Sequence, residues 1–141
     1  MRASSKKKIM VVDDEEDLRH LLKWFFKSKD YDVVEIKDGE ACLATIKKEQ
    51  PDLILLDIMM PGLDGWEVSK RLKEDESSKD IPVSMLSVLS SPEAVKKSIG
   101  YAHADTHLSK PIDFYMLNKT VKALIEKREA YQSSQKKKKR Y

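Results

Sequence analysis

The stretch LILLDIMMPGLDGWE, Leu53 to Glu67, decides how the chain is read. Leu53, Ile54, Leu55 and Leu56 are four apolar residues in a row. Such a run suits a strand covered on both faces, as in the interior of a parallel sheet. It passes without a turn into one carboxylate, Asp57, and then into Pro61, Gly62 and Gly65. A buried carboxylate is costly unless paired or bound. Asp57 therefore marks the point where the chain leaves the core and enters a site.

The same punctuation recurs on either side. Lys8 to Val12 reads as a strand, and Glu15 to Ser28 as a helix with Leu18, Leu21, Leu22 and Phe25 at i, i+3, i+4, i+7. Asp32 to Ile36 is a second strand and Glu40 to Lys48 a short helix. Asp64 to Glu74 is a helix opened by a capping box of Asp64 and Glu67. Pro82 to Leu86 is the fourth strand, and Ser91 to Gly100 a helix with Ser91 as cap and Pro92 in its first position. Thr106 to Leu108 is a short fifth strand, and Pro111 to Arg128 the last helix. Strand then helix, five times, predicts an α/β domain: a doubly wound five-stranded parallel sheet with five helices.

In such a sheet the active crevice lies beyond the carboxyl ends of the strands. Asp13 and Asp14 follow strand 1, Asp57 follows strand 3, Ser87 follows strand 4, and Lys110 and Pro111 follow strand 5. Three clustered carboxylates repel, each pair by about 1–4 kcal/mol at ~4 Å. Lys110 offsets part of that. A hard divalent cation offsets the rest, and Mg²⁺ suits one or two carboxylates plus waters. Capping of the first helix accounts for one of the Asp13–Asp14 pair but not for Asp57 and Lys110.

Composition narrows the classes. The chain has 141 residues and 40% hydrophobic content, enough for one core. No run is long enough for a membrane span or a signal peptide. The single cysteine, Cys42, sits among Ala41, Leu43 and Ile46, reads as a small core residue, and points to a reducing cytoplasm. The net charge of +3 divides unevenly: Arg2, Lys6, Lys7, Lys8, Lys136 to Lys139 and Arg140 leave 18 basic residues against all 24 acids, a body of −6. The expected organisation is a basic disordered segment over 1–7, one domain over 8–130, and a basic disordered tail over 131–141. Thirteen residues after Arg128 are too few for a DNA-binding domain of its own.

The acidic pair after strand 1, the aspartate before MMPGLDG, the hydroxyl ending strand 4 and the KP after strand 5 closely resemble the response-regulator receiver domain, over about Lys8 to Arg128. The resemblance implies a flavodoxin-like strand order 2-1-3-4-5. It implies Asp57 as phosphoacceptor, attacking a phosphohistidine on a histidine kinase or phosphotransfer protein. Asp14, Asp57 and the Met59 backbone carbonyl would ligate Mg²⁺, with Asp13 acting through water. Lys110 would pair with a phosphoryl oxygen, and Ser87 would move to hydrogen-bond the phosphoryl group. The output surface would be helix 4–strand 5–helix 5, and Lys110–Pro111 is often cis in the family. Such a module is a switch and not an enzyme, a monomer or weak dimer. It is either a single-domain receiver of the chemotaxis kind or a piece of a larger regulator or hybrid kinase.

Several positions depart from the pattern. His107 stands where an aromatic switch residue is usual; an imidazole there suggests a switch with pH-sensitive output, or equally an exposed histidine on a short edge strand. His103 stands where the family has glycine. Met59 and Leu89, two residues after Asp57 and Ser87, cannot orient a water, so slow self-dephosphorylation is expected. Trp24 lies off the apolar stripe of its helix by roughly a third of a turn and reads as half-buried, with partial exposure to a partner on helix 1 as the alternative. Two other classes fare worse. An aspartate-nucleophile phosphatase wants an acid where Met59 stands, and a flavin carrier wants a phosphate-cradling loop where the chain has DDEED.

Overall fold

The computed structural model describes residues 6–140. Its elements, in chain order, are β1 (Lys8–Val12), α1 (Glu16–Ser28), β2 (Asp32–Ile36), α2 (Gly39–Glu49), β3 (Leu53–Leu56), α3 (Gly65–Glu74), β4 (Val83–Ser87), α4 (Pro92–Gly100), β5 (Thr106–Ser109) and α5 (Phe114–Arg140). The strands form one sheet in the order β2-β1-β3-β4-β5, and every pairing is parallel. This is the doubly wound arrangement expected from the sequence.

Side chains alternate along a strand, so each interior strand feeds two cores. Ile9, Val11, Leu53, Leu55 and Leu86 pack with Leu22 and Phe26 of α1 and with Leu117, Val121 and Ile125 of α5. Met10, Val12, Ile54, Leu56, Val83 and Met85 pack with Cys42 and Ile46 of α2, Val68 and Leu72 of α3, and Ala102 after α4. Both layers need the all-apolar runs of β1 and β3, whose side chains are at most 1% exposed from Ile9 to Val12 and from Leu53 to Leu56. Cys42 is a core residue, as read, and burial pushes its thiol up to about 12, which leaves it unreactive.

The caps follow the sequence. Asp38, Asp64 and Ser91 accept from the backbone N–H groups of Ala41, Glu67 and Ala94. The capping box is only half formed, because the Glu67 carboxylate turns away to Arg71 and Tyr101. His103 has φ 55°, the left-handed region its glycine-like position demands. The Lys110–Pro111 peptide is cis.

Three expectations need correction. The last helix starts at Phe114, not Pro111, with the Asp113 side chain accepting from Met116 N–H. It also runs on to Arg140, through most of the stretch read as a disordered tail over 131–141. The physical reason lies in the residues themselves: after Ile125 the chain has no Gly or Pro, and cations at a helix C-terminus suit the macrodipole. Arg128 anchors the helix midway, donating to Pro51 O and Asp52 at 3.3 Å. Trp24 is 69% exposed, not half-buried. Most of the basic 1–7 segment lies outside the described residues; Lys6 and Lys7 sit 3.4 Å from Asp30 and 3.7 Å from Glu129. No described helix is long and apolar enough to cross a membrane.

Candidate functional site

Sheet register brings the polar residues together. Val12 pairs with Leu56, so the residues that follow each of them, Asp13 and Asp57, leave the sheet side by side. Ser87 pairs with Ser109, which puts Lys110 one step beyond Ser87. The Lys110 N–H donates to the Ser87 carbonyl at 2.9 Å, so the lysine is tied to the end of β4. Oxygen atoms of Asp13, Asp14 and Asp57 all lie within 4.8 Å of one another. Asp13 and Asp57 are only 3% and 5% exposed, while Asp14 faces solvent.

Lys110 Nζ stands 2.9 Å from Asp13 Oδ2, 3.6 Å from Asp57 Oδ2 and 3.7 Å from Glu15 Oε1. One ammonium thus serves three acids. Burial works against its charge, yet the hydrogen bond to Asp13 and the charges of Asp13, Asp57 and Glu15 outweigh that and hold the ammonium above its usual value. The Asp13 carboxylate is further fixed by the Glu15 N–H at 2.9 Å, and its carbonyl accepts from Arg19 at 2.8 Å.

Asp57 is held differently. Its N–H donates to the Val12 carbonyl at 3.0 Å, and its Oδ1 accepts from Met59 N–H at 3.3 Å. Burial raises its carboxyl above the usual range, and the Asp13 charge adds to that. Lys110, the Met59 N–H and the Ser87 hydroxyl pull the other way without cancelling it. Asp57 is thus an under-compensated carboxylate in a nearly closed rim. An all-oxygen donor set of three clustered carboxylates fits a hard divalent cation.

Gly65 shapes this rim for a reason internal to the chain. A Cβ there would collide with the Asp57 carbonyl and lie 2.7 Å from Ile58 Cα. The start of α3 packs directly on the backbone that carries Asp57, clamped by the Gly65 N–H to Ile58 carbonyl bond at 2.9 Å. Gly62, with φ +77°, makes the preceding turn, and a Cβ there would meet Glu40.

Ser87 is fully buried, and its Oγ accepts from Leu89 N–H at 3.2 Å. His107 sits mid-β5, opposite Met85, with Nδ1 2.8 Å from Ser98 Oγ. Its Nε2 is buried without a hydrogen-bond partner among the described residues. Burial pushes the imidazole below its ordinary value, with the Leu89 backbone pulling weakly the other way. That direction favours the neutral ring and weighs against the pH-sensitive output expected there. Met59 is 53% exposed beside Asp57, whereas Leu89 packs partly against the core.

Residues 9–122 match the family model of the response regulator receiver domain. The chain belongs to the receiver domain family of two-component response regulators. Among curated proteins this receiver is 40% identical over 124 residues to the alkaline phosphatase synthesis transcriptional regulatory protein PhoP of Bacillus subtilis, covering 87% of this chain and 50% of that protein. It is 38% identical over 117 residues to the response regulator PleD of Caulobacter vibrioides, covering 83% of this chain and 26% of that one. The chain thus spans half or less of these two relatives. Among solved structures, the Vibrio cholerae chemotaxis protein CheY4 matches at TM-score 0.80 and 28% identity, over 85% of this receiver and 99% of that chain. The Francisella response regulator 1452 receiver domain matches at TM-score 0.80 and 30% identity, over 86% and 98%. Receiver domains are signalling switches that interact with histidine kinases and phosphotransfer proteins and bind a divalent metal at an acidic pocket; in this chain Asp13, Asp14 and Asp57 form an acidic cluster.

Proposed function

We propose that this receiver takes a phosphoryl group from the phosphohistidine of a histidine kinase or phosphotransfer protein onto Asp57. The observation that carries the reading is one buried carboxylate, 5% exposed, with two acids and a lysine gathered on it. An Asp57 oxygen attacks phosphorus, and the phosphorus–nitrogen bond breaks with its electron pair remaining on the imidazole. An acyl phosphate results. Phosphoryl transfer needs positioning and charge neutralisation more than covalent assistance. Lys110, already 3.6 Å from Asp57, pairs with a phosphoryl oxygen. Asp14, Asp57 and the Met59 backbone carbonyl would hold Mg²⁺, with Asp13 assisting. When bound, the cation supplies the positive charge that three acids and one lysine lack.

Ser87 and His107 form the switch. The Ser87 hydroxyl leaves Leu89 N–H for the new phosphoryl group, and His107 adjusts on the neighbouring strand. Both act on the α4–β5–α5 surface, which meets an output protein. The setting is cytoplasmic. The phosphatase alternative gains nothing from the structure, because Met59 offers no acid to protonate a leaving group.

The test is incubation with Mg²⁺ and acetyl phosphate followed by intact-mass analysis. Wild type is expected to gain one acid-stable, base-labile phosphoryl group and Asp57→Ala none. Equal labelling of both, or of neither, contradicts the reading. The acyl phosphate is expected to be long-lived, since Met59 and Leu89 cannot align a water. A Met59→Asn, Leu89→Glu double variant is expected to lose phosphate roughly 10-fold faster, less than the ~100-fold or more of a full proton-transfer group because these side chains only orient the water. An unchanged decay rate removes the roles of these two positions.

A further inference from the structure

Three polar side chains from three elements meet under α4. Trp66 Nε1–H of α3 donates to Ser98 Oγ of α4 at 3.0 Å, and Ser98 Oγ lies 2.8 Å from His107 Nδ1 of β5. Ser98 is fully buried. The indole nitrogen is a donor only, so it consumes one lone pair of Oγ and leaves the direction of the second bond to be settled. Among the described residues the Ser98 hydroxyl proton has one acceptor, His107 Nδ1. A buried hydroxyl does not leave its proton unbonded when an acceptor is at 2.8 Å. The proton goes to Nδ1, and the ring proton of the neutral imidazole sits on Nε2.

We propose that Ser98 is the positioning residue of the switch: held by the Trp66 indole, it donates to His107 Nδ1, fixes the Nε2–H tautomer and latches β5 to α3 and α4. The inference rests on the reading of His107 as a switch residue. It adds a second connection between Asp57 and β5, separate from Ser87. Gly65 lies against the Asp57 carbonyl and Ile58 Cα, and Trp66 is the next residue. A displacement of the Asp57 backbone therefore moves the root of the indole that feeds the relay. Lys97 Nζ, 4.3 Å from the centroid of the Trp66 ring, closes the relay on its outer side. Tyr101 extends the same seam, donating to Glu67 of α3 at 2.9 Å. A ring set this way keeps a donor on the side away from Ser98, where Nε2 is buried and the ring interacts with the Leu89 backbone of the β4–α4 loop.

The test is ¹⁵N NMR of the histidine side chains of the full chain at pH 7, without metal or phosphodonor, with the His107 signals assigned from His107→Phe. Wild type is expected to show the Nε2–H tautomer alone at His107. In Ser98→Ala the preference is expected to be lost, with both nitrogens moving toward the averaged shifts of an unconstrained ring. Trp66→Phe leaves Ser98 in place. It is expected to keep the tautomer but shift Nδ1, because the hydroxyl loses the donor that polarises it. An Nδ1–H tautomer in wild type, or an unchanged tautomer in Ser98→Ala, overturns the proposal, and an unmoved Nδ1 in Trp66→Phe overturns the relay even if Ser98→Ala does not fold. Because no phosphodonor is present, failure of Asp57 to accept a phosphoryl group leaves this measurement intact.

Discussion

A Gly65→Ala variant is expected to lose about 3 kcal/mol of stability, the upper part of the ordinary range for overpacking, because the added methyl meets backbone and not a side chain that can turn aside. Its Cβ collides with the Asp57 carbonyl and comes within 2.7 Å of Ile58 Cα. Relief requires α3 to move off the end of β3, which breaks the Gly65 N–H to Ile58 carbonyl bond and disturbs the loop carrying Asp57. Phosphoryl uptake is therefore expected to fall along with stability. Gly100 is the internal control: it ends α4, is exposed, and an added Cβ meets nothing within 4 Å. Gly100→Ala is expected to gain about 0.5 kcal/mol by restricting the unfolded chain. Urea titrations of the two variants at unchanged slope decide the matter. Similar midpoints for both would show that the close approach at Gly65 is not tight.

Asp57→Asn is expected to abolish phosphoryl uptake and, without metal, to make the fold more stable by about 1–2 kcal/mol, the scale of one poorly screened like-charge contact. The sign follows from the raised carboxyl of Asp57. A group whose proton is held more tightly in the folded state stabilises fully below its unfolded value, near 4, and loses that contribution as pH rises through the folded-state value. At pH 7 the charged Asp57 therefore weighs against folding. The difference in stability between wild type and Asp57→Asn is expected to shrink as pH falls from 7 toward 4. It is read as the gap between two denaturation series, so that other carboxylates cancel. Saturating Mg²⁺ is expected to narrow the gap at pH 7 by stabilising wild type alone. A variant no more stable than wild type in chelator would mean that Lys110 already neutralises the cluster.

How much of this was legible in the sequence depends on which physics set each feature. The sheet was legible because its strands are buried on both faces, so that Leu53 to Leu56 contains no polar residue to confuse the period. The site was legible because strand ends in a parallel sheet share one rim, and Asp13, Asp14, Asp57, Ser87 and Lys110 all fall just past an apolar run. The α5 extension was not legible. Composition says that a Lys- and Gln-rich stretch cannot build a core, but a helix already nucleated and pinned at Arg128 needs only good helix formers to continue. Trp24 left two readings open because a position just off the apolar stripe can be half-covered or exposed; it is exposed. Nothing in the sequence says what the missing Cβ of Gly65 makes room for; the backbone that comes close is the chain's own. The Trp66–Ser98–His107 relay joins residues 32 and 9 positions apart. Nothing local in Ser98, a serine in the middle of a helical run, announces that it faces an indole on one side and an imidazole on the other.

The account stands on the proposition that Asp13, Asp14 and Asp57 form one electrostatic unit that Lys110 compensates only in part. The most direct measurement is a calorimetric Mg²⁺ titration of wild type, Asp14→Ala and Asp57→Asn at fixed ionic strength. The account predicts a single site in wild type that saturates at millimolar Mg²⁺ and is lost in both variants. Binding of equal strength in all three, or none in wild type at those concentrations, would contradict it.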